Sequence, residues 1–177
     1  MITQNELAFL ALLSHSEGSD RAADPYRVCY GYPEPWSHTI VSLAQHPACP
    51  AADGSPPEWI GREGHVGESL ASLGPRYAHS VSTAAGRFQI NKPSWEEGVS
   101  ALPLILTDFE AASQNRWCIW CFEAKGALEL INSGNIQPAI GRLRNVWASL
   151  PGGDSGQPED KLADLIEVYT GAGGALA

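Results

Sequence analysis

The chain has 177 residues, 44% hydrophobic and 18% charged, which suits one globular domain over 1–177 with a sizeable core. Its net charge is −9 and nothing in it resembles a basic groove, which excludes nucleic acid as an expected partner and argues against adhesion to anionic membranes. No apolar run approaches transmembrane length. The longest near the start, Leu7 to Leu13, follows Glu6 rather than Lys or Arg and has no small-residue cleavage site after it, so it reads as a core helix and the protein is expected to start in the cytoplasm.

In chain order, Thr3-x-x-Glu6 is a capping-box pattern that opens a first helix. Leu7, Leu10 and Leu13, with Phe9 beside them, give its apolar stripe, and Gly18 is its stop signal. Residues 24–47 read as extended. Tyr26, Val28 and Tyr30 alternate with polar or small neighbours, Gly31, Pro33 and Pro35 force a turn, and Ile40 to Leu43 offers a second strand, so a small hairpin sheet is predicted here. Residues 48–81 are rich in Pro, Gly and Ser and read as a long surface excursion with one short helix at most. Within it, Trp59 reads as a packing anchor in preference to a sugar-stacking platform. The remainder is helical, over roughly 84–98, 103–114, 115–132, 135–148 and 158–170, with Gly134, Pro151-Gly152-Gly153 and Gly171 as punctuation. Pro158, Glu159 and Asp160 suit the first turn of the last helix, and Leu162, Leu165, Ile166 and Tyr169 form its inward stripe. The fold class is α+β, mainly helical, with a small N-terminal β-hairpin sheet.

Glu17 stands out. It sits in Ser16-Glu17-Gly18, where the first helix runs out. The C-terminal end of a helix carries partial negative charge and disfavours a second one. That placement suits a carboxyl that must hold a proton near neutral pH, as a general acid does. On position alone, a solvated Glu at a helix end is the plainer reading.

The cysteines are Cys29, Cys49, Cys118 and Cys121, whose pairing sequence cannot choose; free buried thiols are the expectation for a cytosolic protein. Cys118-Ile119-Trp120-Cys121 has CxxC spacing, and with His46 and Cys49 it would complete a four-ligand zinc set, but His-x-x-Cys is a weak second half and no metal or other cofactor is expected.

Four stretches carry a resemblance. They are Ala8-Phe9-Leu10 through Ser16-Glu17-Gly18-Ser19-Asp20; Tyr26 to Gly31 followed by His46-Pro47; Ser82-Thr83-Ala84-Ala85-Gly86-Arg87-Phe88-Gln89; and Ala139-Ile140 through Asn145-Val146-Trp147-Ala148-Ser149-Leu150-Pro151-Gly152, continuing through Gly156-Gln157 to Ala172-Gly173-Gly174. In this order they resemble the lambda-type phage endolysins, a lysozyme-like family that cuts peptidoglycan. The departures are a shorter loop after Glu17, a longer 48–81 segment, and Ser155 where the family has an aromatic residue. The family's two mobile loops beside the cleft would lie within 48–81 and 151–157.

The resemblance implies that Glu17 is the catalytic carboxyl and that the chain is a lytic transglycosylase, forming a 1,6-anhydro ring on N-acetylmuramic acid without consuming water. The T4-type phage lysozymes place a partner Asp after their catalytic Glu at a position that is Tyr26 here, so that pair is absent. Gln89 is the first candidate for holding sugar amides, since its side chain both donates and accepts; bracing the sheet is the equal alternative. Thr83 and Ser82 are further substrate-binding candidates with a turn-forming alternative. Arg87 is placed either on a nearby acid such as Asp20 or on a peptide-stem carboxylate, and Gln157 on the lower loop against sugar. His15 reads as structural and Trp147 as core.

Rival readings are a true muramidase using Glu17 with Asp20, Asp24 or Glu34 and a water, a non-catalytic glycan-binding or phage-structural domain, and a zinc-stapled interaction module. The expected partner is the peptidoglycan glycan strand, met by a monomer with no stable membrane association. Such an enzyme would accumulate in the host cytoplasm and reach the cell wall at lysis through a holin pore.

Overall fold

The computed structural model describes residues 1–152 and 160–177. They form two compact units. One comprises Met1–Arg21 and Trp117–Ala177, the other Ala22–Arg116.

The first unit is helical. Helix α1 (Gln4–Ser16) opens on the expected capping box, with Thr3 Oγ1 accepting from the Glu6 N–H and Glu6 accepting from the Thr3 N–H. Asn132 extends that box by donating to Glu6 Oε1 at 2.9 Å, and the Gln4 and Asn5 amides reach the Ala172 carbonyl and the backbone of Ala175. The N-terminus of α1 is thus tied to two distant segments of its own unit. Phe9, Leu10, Leu12 and Leu13 are buried, whereas Leu7, expected in the stripe, is 46% exposed.

Helix α3 (Ala111–Ala124), within which the division between the units falls, contributes Trp117, Cys118, Cys121 and Phe122 to this core. Phe9 meets Phe122 edge-on at 5.3 Å, and Trp117 meets Trp147 edge-on at 6.0 Å, so Trp147 is core as predicted. Helices α4 (Leu128–Asn132), α5 (Ile136–Leu143) and α6 (Leu162–Gly171) complete the unit. Leu165 and Tyr169 are the fully buried members of the α6 stripe.

The second unit holds the sheet, and here the prediction is corrected. The sheet is mid-chain, an antiparallel pair of β1 (Glu68–Ser69) and β2 (Val81–Ser82), with Glu68 opposite Ser82. The expected N-terminal hairpin is reduced to one bridge between Val28 and Thr39. Asp24 accepts from the Tyr26 N–H and Pro25 fixes the next φ, so residues 25–27 form a 3-10 turn instead of a strand. On the other side the Glu58 carboxylate takes the Val41 and Ser42 N–H groups, and the Arg27 guanidinium donates to the Ile40 and Val41 carbonyls. Side chains satisfy the backbone that a strand ladder would have used.

The helix expected over 84–98 begins at Lys92 as α2 (Lys92–Ala101). Before it, Gly86 and Gln89 adopt positive φ (73° and 47°), which no helix accepts, and Ala85 pairs with Ile90. Residues 103–110 are turns, ended by Asp108, which accepts from the Glu110 N–H and the Ser113 hydroxyl at the start of α3. Gly126, at φ 67°, splits the helix expected over 115–132 into α3 and α4. The last helix starts at Leu162, and its expected Pro158-Glu159 opening lies outside the described residues.

Trp59 is buried and stacked on His38 at 6.1 Å, the packing role expected of it. His46 is buried with both ring nitrogens in use. Nε2 donates to the Ile90 carbonyl at 2.8 Å and Nδ1 accepts from the Ala48 N–H, with the ring edge-on to Phe109. Burial lowers its pKa to about 4, against the pull of the Ile90 carbonyl, with Lys92 adding to the lowering. A neutral imidazole with no free nitrogen offers no ligand to the zinc set that the sequence allowed. The four cysteines are not joined in disulfides.

Candidate active site

Glu17 is the C-cap of α1. Its N–H closes the last helical bond to the Leu13 carbonyl at 2.9 Å, and Gly18 follows in the left-handed conformation that ends helices (φ 70°). A buried contact between Ser14 and Ser19 hydroxyls at 2.9 Å staples the turn on either side. The turn gives the residue one defined exit from the helix.

The carboxyl is met by a residue far away in sequence. Ser149 Oγ donates to Glu17 Oε1 at 2.6 Å, and Ser16 Oγ donates to Ser149 Oγ at 2.8 Å. Ser149 is held in turn: Leu150 beside it is buried, the Leu150 N–H reaches the Trp147 carbonyl, and the Asp160 N–H donates to the Ser149 carbonyl at 3.0 Å. Burial is the main influence on Glu17 and raises its pKa from 4.5 to about 7. The Ser149 bond opposes that by favouring the anion, and the Asp160 charge adds to the rise. A carboxyl at about 7 is poised to give and take a proton at neutral pH. The helix-end position had pointed to such a group, but neither Ser149 nor Asp160 was assigned a part in it. Ser149 stood inside the fourth matched stretch, which was its only signal.

The other acids near Glu17 in sequence are engaged locally. Asp20 takes His15 Nδ1 at 2.7 Å, so His15 is structural as expected. Asp24 caps its 3-10 turn and pairs with Arg27 at 3.2 Å. Glu34 is exposed.

Four further candidates, Ser82, Thr83, Arg87 and Gln89, lie in the second unit, on the segment from β2 to α2. Ser82 Oγ accepts from the Ala84 N–H, and Thr83 Oγ1 accepts from the Lys92 N–H at 2.9 Å, closing the first turn of α2 in place of Asn91. Arg87 Nη1 donates to the Tyr26 hydroxyl at 2.8 Å and its guanidinium lies against the Tyr26 and Phe88 rings. Gln89 holds its backbone at φ 47°, a strained region for a side-chain-bearing residue, and its Nε2 donates to the Gly86 carbonyl at 3.0 Å. The amide nitrogen therefore braces the turn, while Oε1 has no partner within the described structure. Gln157 lies outside the described residues.

Gln114 organises this segment and was not foreseen. It is fully buried, donates to the Phe109 and Tyr26 carbonyls and accepts from the Arg87 N–H. A Cβ at Gly86 would overlap its amide oxygen, which is why the motif needs glycine there beyond the positive φ.

Among the described residues no cluster of His, Cys, Asp and Glu is arranged to hold a metal, and no helix is long and apolar enough to cross a membrane.

A family model described as Endolysin matches residues 7–176. The endolysin of Escherichia phage P2 is 34% identical over 180 residues, spanning 98% of this chain and 96% of that protein. The endolysin of Escherichia phage lambda is 31% identical over 176 residues, spanning 99% of this chain and 95% of the relative. Among solved structures, bacteriophage lambda lysozyme complexed with a chitohexasaccharide superposes with a TM-score of 0.75 at 30% identity, covering 100% of this chain and 99% of that one.

Proposed function

The chain belongs to the endolysin family, lysozyme-like enzymes that degrade peptidoglycan, and from that premise we propose that it is a lytic transglycosylase in which Glu17 is the sole acid and base. The observation that carries this reading is the environment of Glu17: one desolvated carboxyl with a pKa of about 7, one oxygen bonded to Ser149, and the acids nearest in sequence committed to His15 and Arg27.

Protonated Glu17 gives its proton to the oxygen between N-acetylmuramic acid and N-acetylglucosamine. The bond from that oxygen to C1 of the muramic acid breaks, and positive charge develops at C1 and the ring oxygen. The carboxylate left behind then takes the proton of the C6 hydroxyl of the same sugar as that oxygen bonds to C1. A 1,6-anhydro ring closes, Glu17 regains its proton, and no water is consumed. The nucleophile is intramolecular, so its positioning costs little. A pKa near 7 serves both halves, since the residue must be an acid first and a base second.

Gln89 is the residue we place against a sugar amide or hydroxyl, through the open Oε1. The donor side, fixed on the Gly86 carbonyl, sets its direction. Ser82, Thr83 and Arg87 shape the same segment from β2 to α2. The glycan ligand of the lambda lysozyme complex supports a saccharide chain as the substrate class. The enzyme accumulates in the host cytoplasm, acts as a monomer and reaches the wall at lysis through a holin pore.

One observation favours a hydrolase as the second reading: the charge of Asp160 reaches Glu17, which makes Asp160 the acid to consider as a second carboxylate. Digestion of purified peptidoglycan in ¹⁸O-labelled water separates the two. The transglycosylase leaves the new muramic ends unlabelled. Label at those ends, lost in Asp160→Asn, would establish hydrolysis.

A further inference from the structure

We propose that Ser16 and Ser149 are positioning residues that together fix which oxygen of Glu17 carries the catalytic proton, leaving Oε2 as the acid. The proposal rests on Glu17 being the general acid.

A serine hydroxyl has a single proton to donate. The Ser16 hydroxyl donates to Ser149 Oγ at 2.8 Å, which occupies an acceptor site of Ser149 and turns its own proton away, toward Glu17 Oε1 at 2.6 Å. Oε1 is therefore an acceptor in both protonation states. In the neutral acid it is the carbonyl oxygen, and the proton resides on Oε2, which has no partner within the described structure. After the proton has left, the Ser149 bond becomes charge-assisted and strengthens, holding the carboxylate in the same orientation for the second half of the reaction. The same two hydroxyls thus act on the acid and on the base without contacting the sugar.

The fold supports this reading at both ends. Ser16 is the last residue of α1, one position before Glu17, so its side chain is set by the same helical turn. Ser149 is fixed by the bond from the Asp160 N–H to its carbonyl and by the burial of Trp147 and Leu150 on either side. The charged groups to be reckoned with are Asp160, whose field opposes the anion, and the His15–Asp20 pair, which lies on the end of α1 and the turn after it.

The test is the pH–rate profile on peptidoglycan for Ser149→Ala, Ser149→Thr and Ser16→Ala, paired with a ¹³C NMR titration of the Glu17 carboxyl in each folded protein. Ser149→Ala is expected to lower kcat by about ten- to hundredfold with little change in KM, as loss of a bond to a charged group does. It is also expected to move both the alkaline limb and the NMR titration of Glu17 upward by about one pH unit. Ser16→Ala is expected to shift both in the same direction by less, and Ser149→Thr to restore them. A Glu17 titration that is the same in Ser149→Ala and wild type would overturn the proposal, as would a threonine that folds but restores neither readout. The NMR titration does not depend on turnover. Should Glu17→Gln remain active, the general-acid reading fails, and the titration still reports whether the serines set the proton.

Discussion

Glu17 combines two unfavourable circumstances for a charge, the negative end of a helix and burial, and both are relieved by a proton. The sign of the consequence is fixed. Its folded pKa of about 7 lies above the ordinary 4.5, so the folded state binds the proton more tightly than the unfolded chain. The stabilisation is complete below about pH 4.5 and is lost as pH rises through 7. Glu17→Gln removes the titration while keeping an acceptor for Ser149. The variant is therefore expected to match wild type near pH 4 and to exceed it at pH 8 by up to about 3 kcal/mol. Urea unfolding at the two pH values measures this. Parallel stability curves for the two proteins across that range would mean that the carboxyl is not desolvated in the folded state. The helix-end position was legible in Ser16-Glu17-Gly18 because capping is local. Ser149 was not, since its contact with Glu17 spans 132 positions and no short-range pattern carries it.

Elements show the same division between local and distant causes. The capping box at Thr3 and Glu6, the stop at Gly18 and the inward stripe of α6 follow from residues within one or two turns, and they were legible. The predicted N-terminal hairpin failed because the alternation of Tyr26, Val28 and Tyr30 does not register that Asp24 and Pro25 set a 3-10 turn, nor that Glu58 captures the amides of the second strand. The first part of the helix predicted over 84–98 failed at Gly86 and Gln89, whose left-handed backbone accompanies the bond from the Arg87 N–H to the buried Gln114 and the pairing of Ala85 with Ile90. Two glycine substitutions contrast these environments. Gly86→Ala meets both a positive φ and the Gln114 amide and is expected to cost about 2–4 kcal/mol. Gly141→Ala, in α5 with open space around it, is expected to gain about 0.5–1 kcal/mol. Denaturant midpoints for the two variants check this, and an Ala at 86 that leaves stability unchanged would contradict the role given to Gln114.

At the scale of the whole chain, the match over residues 7–176 and relatives spanning 98% and 99% of the chain place nearly every residue within one family. The ordered motifs made the family legible where composition and charge alone excluded partners without naming one. The segment over 48–81 holds β1, the start of β2 and two 3-10 turns, which could not be read from a Pro- and Gly-rich sequence without periodicity. In the proposed mechanism one carboxyl, Glu17, carries both proton transfers and the sugar's own C6 hydroxyl replaces water. Mass spectrometry of muropeptides released from purified peptidoglycan by wild type and by Glu17→Gln tests it most directly. Products ending in 1,6-anhydromuramic acid are expected from wild type and none from the variant. Reducing-end products, heavier by one water, would contradict it.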